Sequence, residues 1–426
     1  MNKKAALLAV LFVLAGALVF PQGENLTVKV AVIGPGDELY FWWGHIALVI
    51  EDSRTGRSYF YDYGIFDFRG DNFFYNFAMG RLWYSCGASS SRSNYDFFRK
   101  TNRGVKIFTL DLLPETRQKI KNFVDTNTLP ENKNYFYHHF RDNCSTRIRD
   151  IIDLATDGQF KKQFENEESR FTLRQQVRRH TWFSPAADWF LNFLMGQVID
   201  KKITVWEDMF LPSEVGKRID DFYYNDINGE LKKLVSSSET ILIIEGRPLP
   251  LETPRGQWPF PLILGLVLSA IFGAFFFMQY KNIKAGRVLA GIGMSVCGLF
   301  FGLLGVMLYF LVFFSNHDYT YQNLNIIYCT PLLLVSFVFG LCYSFARKKE
   351  KLLKYGFLSR FVWLITLAGI ILSMLLKVLP WFYHDNFAGQ ILMLPLALVF
   401  AFQPNGLKEF CDKYCVCAKR FFIKEN

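Results

Sequence analysis

Five apolar runs, near residues 259–280, 288–314, 324–346, 359–379 and 387–404, constrain this chain more than any other feature. Each is about as long as a helix that crosses a bilayer. Inside lipid every backbone N–H and C=O must be paired within the protein, and for single apolar runs only a helix achieves that. The links between the runs differ in charge. Those at 281–287 and 347–360 hold Lys281, Lys284 and Arg287, then Arg347, Lys348, Lys349, Lys351, Lys354 and Arg360. Those around 315–323 and 380–386 contain no Lys or Arg. Basic links stay in the cytoplasm. The pattern therefore predicts an extracytoplasmic segment before the first run and a cytoplasmic tail after the last, with Lys408, Lys413, Lys419 and Arg420 in that tail.

The amino terminus gives the same topology by another route. "MNKKAALLAVLFVLAGALVF" has a basic start and then an apolar run, the pattern of an export signal, with Ala15-Gly16-Ala17 as a small-residue cleavage site. An uncleaved anchor is the alternative, and either one exports the segment 24–258. The expected organisation is a signal peptide or anchor at 1–20, a thiol domain at 24–160, a helical extension with a short strand at 161–258, five membrane helices at 259–404 and a basic tail at 405–426. A net charge of +10 raises the question of nucleic acid. Much of that excess lies between the apolar runs and in the tail, so membrane lipids are the expected partner and nucleic acid is not.

Eight cysteines do not form a disulfide framework here, because only Cys86 and Cys144 fall in the exported segment. Cys297, Cys329 and Cys342 lie in apolar runs and read as packing residues. Cys411, Cys415 and Cys417, with no histidine beside them, make a poor zinc set. No metal and no cofactor is expected.

Within the exported segment, "LTVKVAVI" (26–33) reads as a strand, and "HIALVIED" (45–52) and "RSYFYDYG" (57–64) flank the turn Ser53-Arg54-Thr55-Gly56 as a hairpin. A turn centred between Arg54 and Thr55 sets Ala47 opposite Asp62 and His45 opposite Gly64. Side chains alternate with period two, so His45 and Asp62 share a face on a diagonal. A carboxylate so placed holds an imidazole in one tautomer. "GVKIFTLDL" (104–112) reads as a further strand and "LPETRQKIKNFVDT" (113–126) as a helix with Pro114 near its start.

"FRDNCSTRIRD" (140–150) then opens a helix whose apolar positions are Ile148, Ile151, Ile152 and Ala155. Asp142 or Asn143 is the natural N-cap, which puts Cys144 in the first turn, where unpaired N–H groups and the helix dipole favour an anion. A lone cysteine there also reads as a small packing residue. A thiol at a helix start, facing a histidine on a sheet, is the papain-like arrangement, and here the histidine precedes the cysteine. The expected fold class is therefore α+β, a permuted papain-like exported domain followed by an all-α domain of five transmembrane helices.

"GHIALVIED", "FYDYGIFDF", "DNCSTRIRD" and "FLPSEVGKRI", with "NHDYTYQNLNIIYCTPL" in the first outer link, resemble a family of bacterial membrane proteins, the lipoprotein N-acyltransferases of the Bacteroidota type. The resemblance covers roughly residues 25–245 and that link. More distantly, the chain is similar to permuted thiol enzymes such as lecithin:retinol acyltransferase, which also has an Asn-Cys pair. The resemblance implies Cys144 as nucleophile and His45 as base. It implies a phospholipid acyl donor, a lipoprotein acceptor and residence in the cytoplasmic membrane with the catalytic domain on the outer side.

Further candidates follow from position. His138 and His139 precede Cys144, and His138 is the second acid–base candidate. Asp67 is an alternative to Asp62. Asn143, Arg141 and Arg147 flank the thiol, and an arginine there can hold a lipid phosphate. In the outer links His317, Asn323, Asn325 and His384 are candidates for headgroup contact. Phe73, Phe74, Phe77, Trp83 and Tyr84 read as an acyl groove or as core. "RQQVRRHTW" (174–182) reads as a solvated basic face. Two other functions stay open on the residues alone: a membrane-tethered papain-like amidase acting on peptidoglycan, and a non-enzymatic envelope scaffold.

Overall fold

The computed structural model describes residues 23–68, 72–244 and 246–402. The expected export segment, the basic tail and its three cysteines lie outside the described residues. The chain forms two compact units. The first takes residues up to Phe77, Arg81–Leu173 and Lys202–Leu249; the second takes Ala78–Gly80, Arg174–Lys201 and the chain from Pro250 on.

The first unit is built on a seven-stranded antiparallel sheet. Its strands are β1 (Leu26–Ile33), β2 (His45–Asp52), β3 (Arg57–Ile65), β4 (Trp83–Ser90), β5 (Val105–Leu110), β6 (Asn134–Phe136) and, after the small hairpin β7 (Tyr223–Asn225) and β8 (Leu231–Lys233), the late strand β9 (Val235–Leu242). The sheet order is β6-β4-β3-β2-β1-β5-β9. The unit thus runs well past residue 160, because β9 pairs with β5. The helices, in chain order, are α1 (Phe73–Ala78), α2 (Ser91–Lys100), α3 (Pro114–Asn127), α4 (Cys144–Ala155), α5 (Gln159–Phe164), α6 (Leu173–Thr181), α7 (Pro185–Leu194), α8 (Val205–Asp208) and α9 (Pro212–Asp220).

Both faces of the central strands are covered. Ile46, Leu48 and Ile50 of β2 join the larger core with Ile148, Ile151 and Ile152 of α4, Ile120 of α3 and Val215 of α9. Ala47 and Val49 join the smaller core with Phe60 and with Phe98 of α2. That double burial explains why "HIALVI" is nearly continuous in apolar residues instead of alternating. The hairpin pairs Leu48 with Tyr61 through Asp52 with Arg57, the register expected from a turn centred between Arg54 and Thr55.

The second unit contains the apolar helices α10 (Pro259–Tyr280), α11 (Lys284–Phe313), α12 (Leu333–Phe345), α13 (Lys349–Leu376) and α14 (Phe387–Ala401). Each of the five expected runs contains a helix, but only α10, α11 and α13 are long and apolar enough to cross a membrane alone. At about 1.5 Å per residue, α12 and α14 reach roughly 20 Å of a ~30 Å hydrocarbon layer. The run 324–346 is not one helix. Leu324–Ile327 forms a 3-10 turn, and the α-helix starts only at Leu333, after Pro331. Non-helical backbone at such a place is tolerated where protein buries it, and Leu324, Asn325, Tyr328 and Cys329 are buried. Glycines set the approach of α11 to α12: a Cβ on Gly291 would lie 2.8 Å from the Gly340 carbonyl oxygen, and one on Gly340 would lie 2.8 Å from that of Gly291.

Residues 174–182 contradict their reading as a solvated basic face. Arg174, Gln176, Val177, Arg179, His180 and Thr181 of α6 are all buried. The Arg174 guanidinium is 1% exposed and pairs with Asp200 at 2.5 Å. It also donates to Asn192 Oδ1 and to the carbonyl oxygens of Asn192, Met195 and Gly196 at 2.6–3.0 Å. A buried cation needs that degree of pairing. It ties α6, α7 and the turn after α7 into one piece, which packs on the apolar helices through Trp189 and Phe193.

Candidate active site

The start of α4 is fixed by a reciprocal cap. Asn143 Oδ1 accepts from the Thr146 N–H at 3.0 Å and Thr146 Oγ1 accepts from the Asn143 N–H at 2.8 Å. Asn143 Nδ2 donates to the carbonyl oxygens of His139 and Phe210. Both amide donors of Asn143 are thereby used inside the chain, so this residue positions the helix and has no donor left for a substrate. The cap settles the earlier alternative: Asn143, not Asp142, is the N-cap. Cys144 is the first helical residue and is partly exposed, packed against the larger core. The Thr146 and Arg147 N–H groups are taken by the cap and by the Asn143 carbonyl oxygen. The N–H groups of Cys144 and Ser145 precede the first in-helix bond and have no backbone acceptor among the described residues.

His45, the first residue of β2, meets that thiol. Its Nε2 lies 2.6 Å from Asp62 Oδ1. The imidazole is also hydrogen-bonded to the Cys144 side chain. Burial lowers the pKa of His45, and the charges of Asp62 and Cys144 with their hydrogen bonds outweigh it, so that the pKa is raised to about 10. The imidazole is therefore an imidazolium at neutral pH, facing the Cys144 sulfur on one side and the Asp62 carboxylate on the other. Gly64, at φ +89°, lets β3 pass beside the thiol: a Cβ there would lie 3.9 Å from the Cys144 Cβ.

The other candidates are placed differently. Asp67 is exposed, and Asp62 alone of the two reaches the imidazole. His138 Nδ1 accepts from the backbone N–H groups of Phe140 and Arg141, both at 3.1 Å, which makes that ring a brace of the loop before α4. Arg147 forms a two-pronged pair with Asp142 and lies 4.3 Å over the Tyr135 ring, so its guanidinium is committed within the loop. Arg141 is exposed. Cys86 and Cys144 are both free thiols; Cys86 Sγ instead donates to the Asn127 carbonyl oxygen at 3.1 Å. Of the aromatic candidates, Phe74 and Trp83 are 75% and 64% exposed, and Tyr84 packs against the core.

In the second unit, the outer-link candidates are consumed by packing. Asn323 Nδ2 donates to the carbonyl oxygens of Phe193 and Leu194, and Asn325 Nδ2 to that of Phe193. Asn325 Oδ1 accepts from Tyr328 and Asn386. His384 accepts from the Leu324 N–H and bonds the Met195 carbonyl oxygen; burial drives its pKa well down, so it is neutral. His317 is buried, with Nδ1 2.7 Å from the Tyr319 hydroxyl. Asn323, Asn325 and His384 hold 174–201 on the apolar helices and are not offered to a headgroup.

Two residues near the thiol escaped the sequence reading. Tyr135 has a buried hydroxyl with no hydrogen-bond partner among the described residues. Burial first, then the charge of Cys144, pushes its pKa up. Arg103 is 2% exposed and donates from Nε to the Gly34 carbonyl oxygen. Burial lowers its pKa to about 10 against the opposing charges of Cys144 and Asp62. Neither stands in a motif, and the two come from different places in the chain, β6 and the turn before β5. Among the described residues, no three His, Cys, Asp or Glu side chains converge as metal ligands do.

Two family models match this chain. The Lnb N-terminal periplasmic domain matches residues 21–179 and the Lnb transmembrane domain matches residues 255–402. The chain belongs to the Lnb family. That is the lipoprotein N-acyltransferase family of the Bacteroidota type, and it makes this chain a membrane protein with an extracytoplasmic amino-terminal domain. The expected class, an α+β exported domain followed by an α-helical membrane domain, is the one found. Among curated proteins and among solved structures nothing matches. For an Lnb-family chain, the Cys144–His45–Asp62 cluster is the natural place to look for chemistry.

Proposed function

We propose that this protein is a thiol-dependent acyltransferase of the cytoplasmic membrane, moving a fatty acyl chain from a phospholipid to the N-terminal amine of a lipid-modified lipoprotein cysteine. The observation that carries the reading is the Cys144–His45–Asp62 alignment at the start of α4, in a chain whose family acts in lipoprotein biosynthesis.

In the first half, the Cys144 thiolate, paired with the His45 imidazolium, attacks the ester carbonyl of the phospholipid. A C–S bond forms, and the N–H groups of Cys144 and Ser145 receive the oxyanion. The C–O bond then breaks, and the alkoxide of the lysophospholipid takes the proton of the His45 imidazolium. In the second half, the lipoprotein α-amine attacks the thioester. Its proton passes to neutral His45, the C–N bond forms, the C–S bond breaks, and thiolate and imidazolium are restored. This is ping-pong transfer through a thioester, with no cofactor. The Asp62 side chain holds the ring through its hydrogen bond to Nε2. The charge asymmetry of the links supports the orientation needed, with the thiol domain outside and the tail inside.

The test is direct. Purified protein is incubated with phospholipid labelled in its acyl chains, and hydroxylamine is used to release thioesters. Label on Cys144 that is lost with hydroxylamine, and that moves to a lipoprotein amine on addition of acceptor, is the expected result. No label on Cys144 would overturn the reading.

A further inference from the structure

The second unit holds a cavity of about 260 Å³ where the chain enters its first apolar helix. It is lined by Arg178, Trp182, Asp188, Trp189, Arg255 and Phe260, among others. The thiol chemistry does not use it.

Its polar side is cationic. The Arg178 side chain is nine-tenths buried: Nη1 donates to Asp385 Oδ2 at 3.2 Å and Nη2 to the Arg255 carbonyl oxygen, while Nε has no hydrogen-bond partner among the described residues. Arg255 is exposed, lies 4.7 Å over the Trp182 ring, and has no carboxylate against it among the described residues. The helix beyond, α10, begins at Pro259 with no side-chain cap on its first turn, so its positive end adds to the field. One acid shares the cavity. Asp188 accepts from Thr181 Oγ1 and Gln257 Nε2, both at 2.5 Å, and burial shifts its carboxyl toward the protonated form.

Its other side is apolar and runs on into the exposed face of α10. Phe260, Ile263, Leu264, Val267 and Ile271 are exposed at helical spacing down α10 from the cavity. An arginine stacked on tryptophan, the charge of a second arginine beside it, and an apolar track leading away match an amphiphilic anion.

We propose that this cavity binds the phosphodiester of a membrane phospholipid, with Arg255 as the donor, the charge of Arg178 beside it and the acyl chains along the exposed face of α10. The ligand chemistry, a phosphate anion, is shared with inorganic phosphate. The apolar track selects the lipid source. The site is independent of Cys144 and stands or falls without the acyl-transfer reading.

The test is native mass spectrometry on the full chain, delipidated in detergent and carrying Cys144→Ser so that no acyl group is transferred. It is titrated separately with phosphatidylethanolamine, with diacylglycerol of the same chains and with inorganic phosphate. Phosphatidylethanolamine is expected to bind saturably, and diacylglycerol about tenfold more weakly, the size of one charge-assisted hydrogen bond. Inorganic phosphate alone should not bind. Arg255→Gln should weaken the phospholipid by about tenfold with an unchanged thermal unfolding curve, and Arg255→Lys should restore part of it. Equal binding of diacylglycerol, or unaltered binding in Arg255→Gln, would overturn the site. Binding of inorganic phosphate as tight as the lipid would overturn the lipid assignment.

Discussion

Replacing Asp62 by Asn tests what the imidazolium of His45 owes to its carboxylate. Asn keeps the size and a hydrogen-bond acceptor but removes the charge 2.6 Å from Nε2. The His45 pKa stands at about 10 against an ordinary 6.5, with burial pulling it down and Asp62 first among the groups raising it. At ~1.4 kcal/mol per unit, that rise corresponds to on the order of 5 kcal/mol of preference for the charged ring. Losing the larger upward contribution should bring the pKa down by well over one unit. The imidazolium is the proton donor of the first half-reaction, so the alkaline limb of kcat/KM reports it. In the wild-type protein activity should persist until the pH approaches 10. In Asp62→Asn the limb should fall toward neutrality, with a lower plateau. Stability gives an independent reading with a fixed sign. A folded pKa above the unfolded one stabilises fully below pH 6.5 and ceases to do so as pH rises through 10. The stability gap between the wild type and Asp62→Asn should therefore be widest below pH 6.5 and close toward pH 10. An alkaline limb that stays in place in Asp62→Asn would refute the ion-pair reasoning, and a gap that widens with pH would refute the sign.

Three other outcomes follow from the same geometry. Cys144→Ser and His45→Ala should each reduce acyl transfer to background, and the double variant should be no worse than either, because the pair acts as one unit; additive losses in the transfer assay would contradict this. Arg174→Met leaves Asp200, 3% exposed in its side chain, without its cation; a loss of about 3–5 kcal/mol is expected, visible as a lowered unfolding temperature or failed accumulation in the membrane. Reporter fusions at 283 and 352, in the basic links, should both report cytoplasm, and an extracytoplasmic signal at either would break the proposed topology.

What could be read beforehand depended on how locally each feature is determined. The register of β2 on β3 follows from four turn residues and period-two alternation, and so does the meeting of His45 with Asp62. The Asn143 cap follows from six residues, Phe140 to Ser145, and the apolar spacing after them. Features that need a distant partner were not legible. β9 joins β5 from more than a hundred residues away, and nothing in "VSSSETIL" names its neighbour. Tyr135 and Arg103 bear on Cys144 only because the sheet and loops bring them there.

The misreadings share one physical cause. Polarity was taken as a sign of solvent or ligand in "RQQVRRHTW", Asn323, Asn325 and His384, and each of these turned out buried against another piece of the same unit. A chain that leaves a membrane must still pair the carbonyl groups at its helix ends and turns. At that depth water is scarce, so side-chain amides, guanidinium groups and imidazoles do the pairing. The carbonyl oxygens of Phe193, Leu194, Met195 and Gly196, at the end of α7, are held by Asn323, Asn325, His384 and Arg174. By this logic a polar residue in an outer link is offered to a lipid only when some of its donors remain unspent. Arg255 meets that criterion and Asn325 does not. Substituting Asn325 should accordingly lower stability, while substituting Arg255 should leave stability unchanged and lower lipid binding.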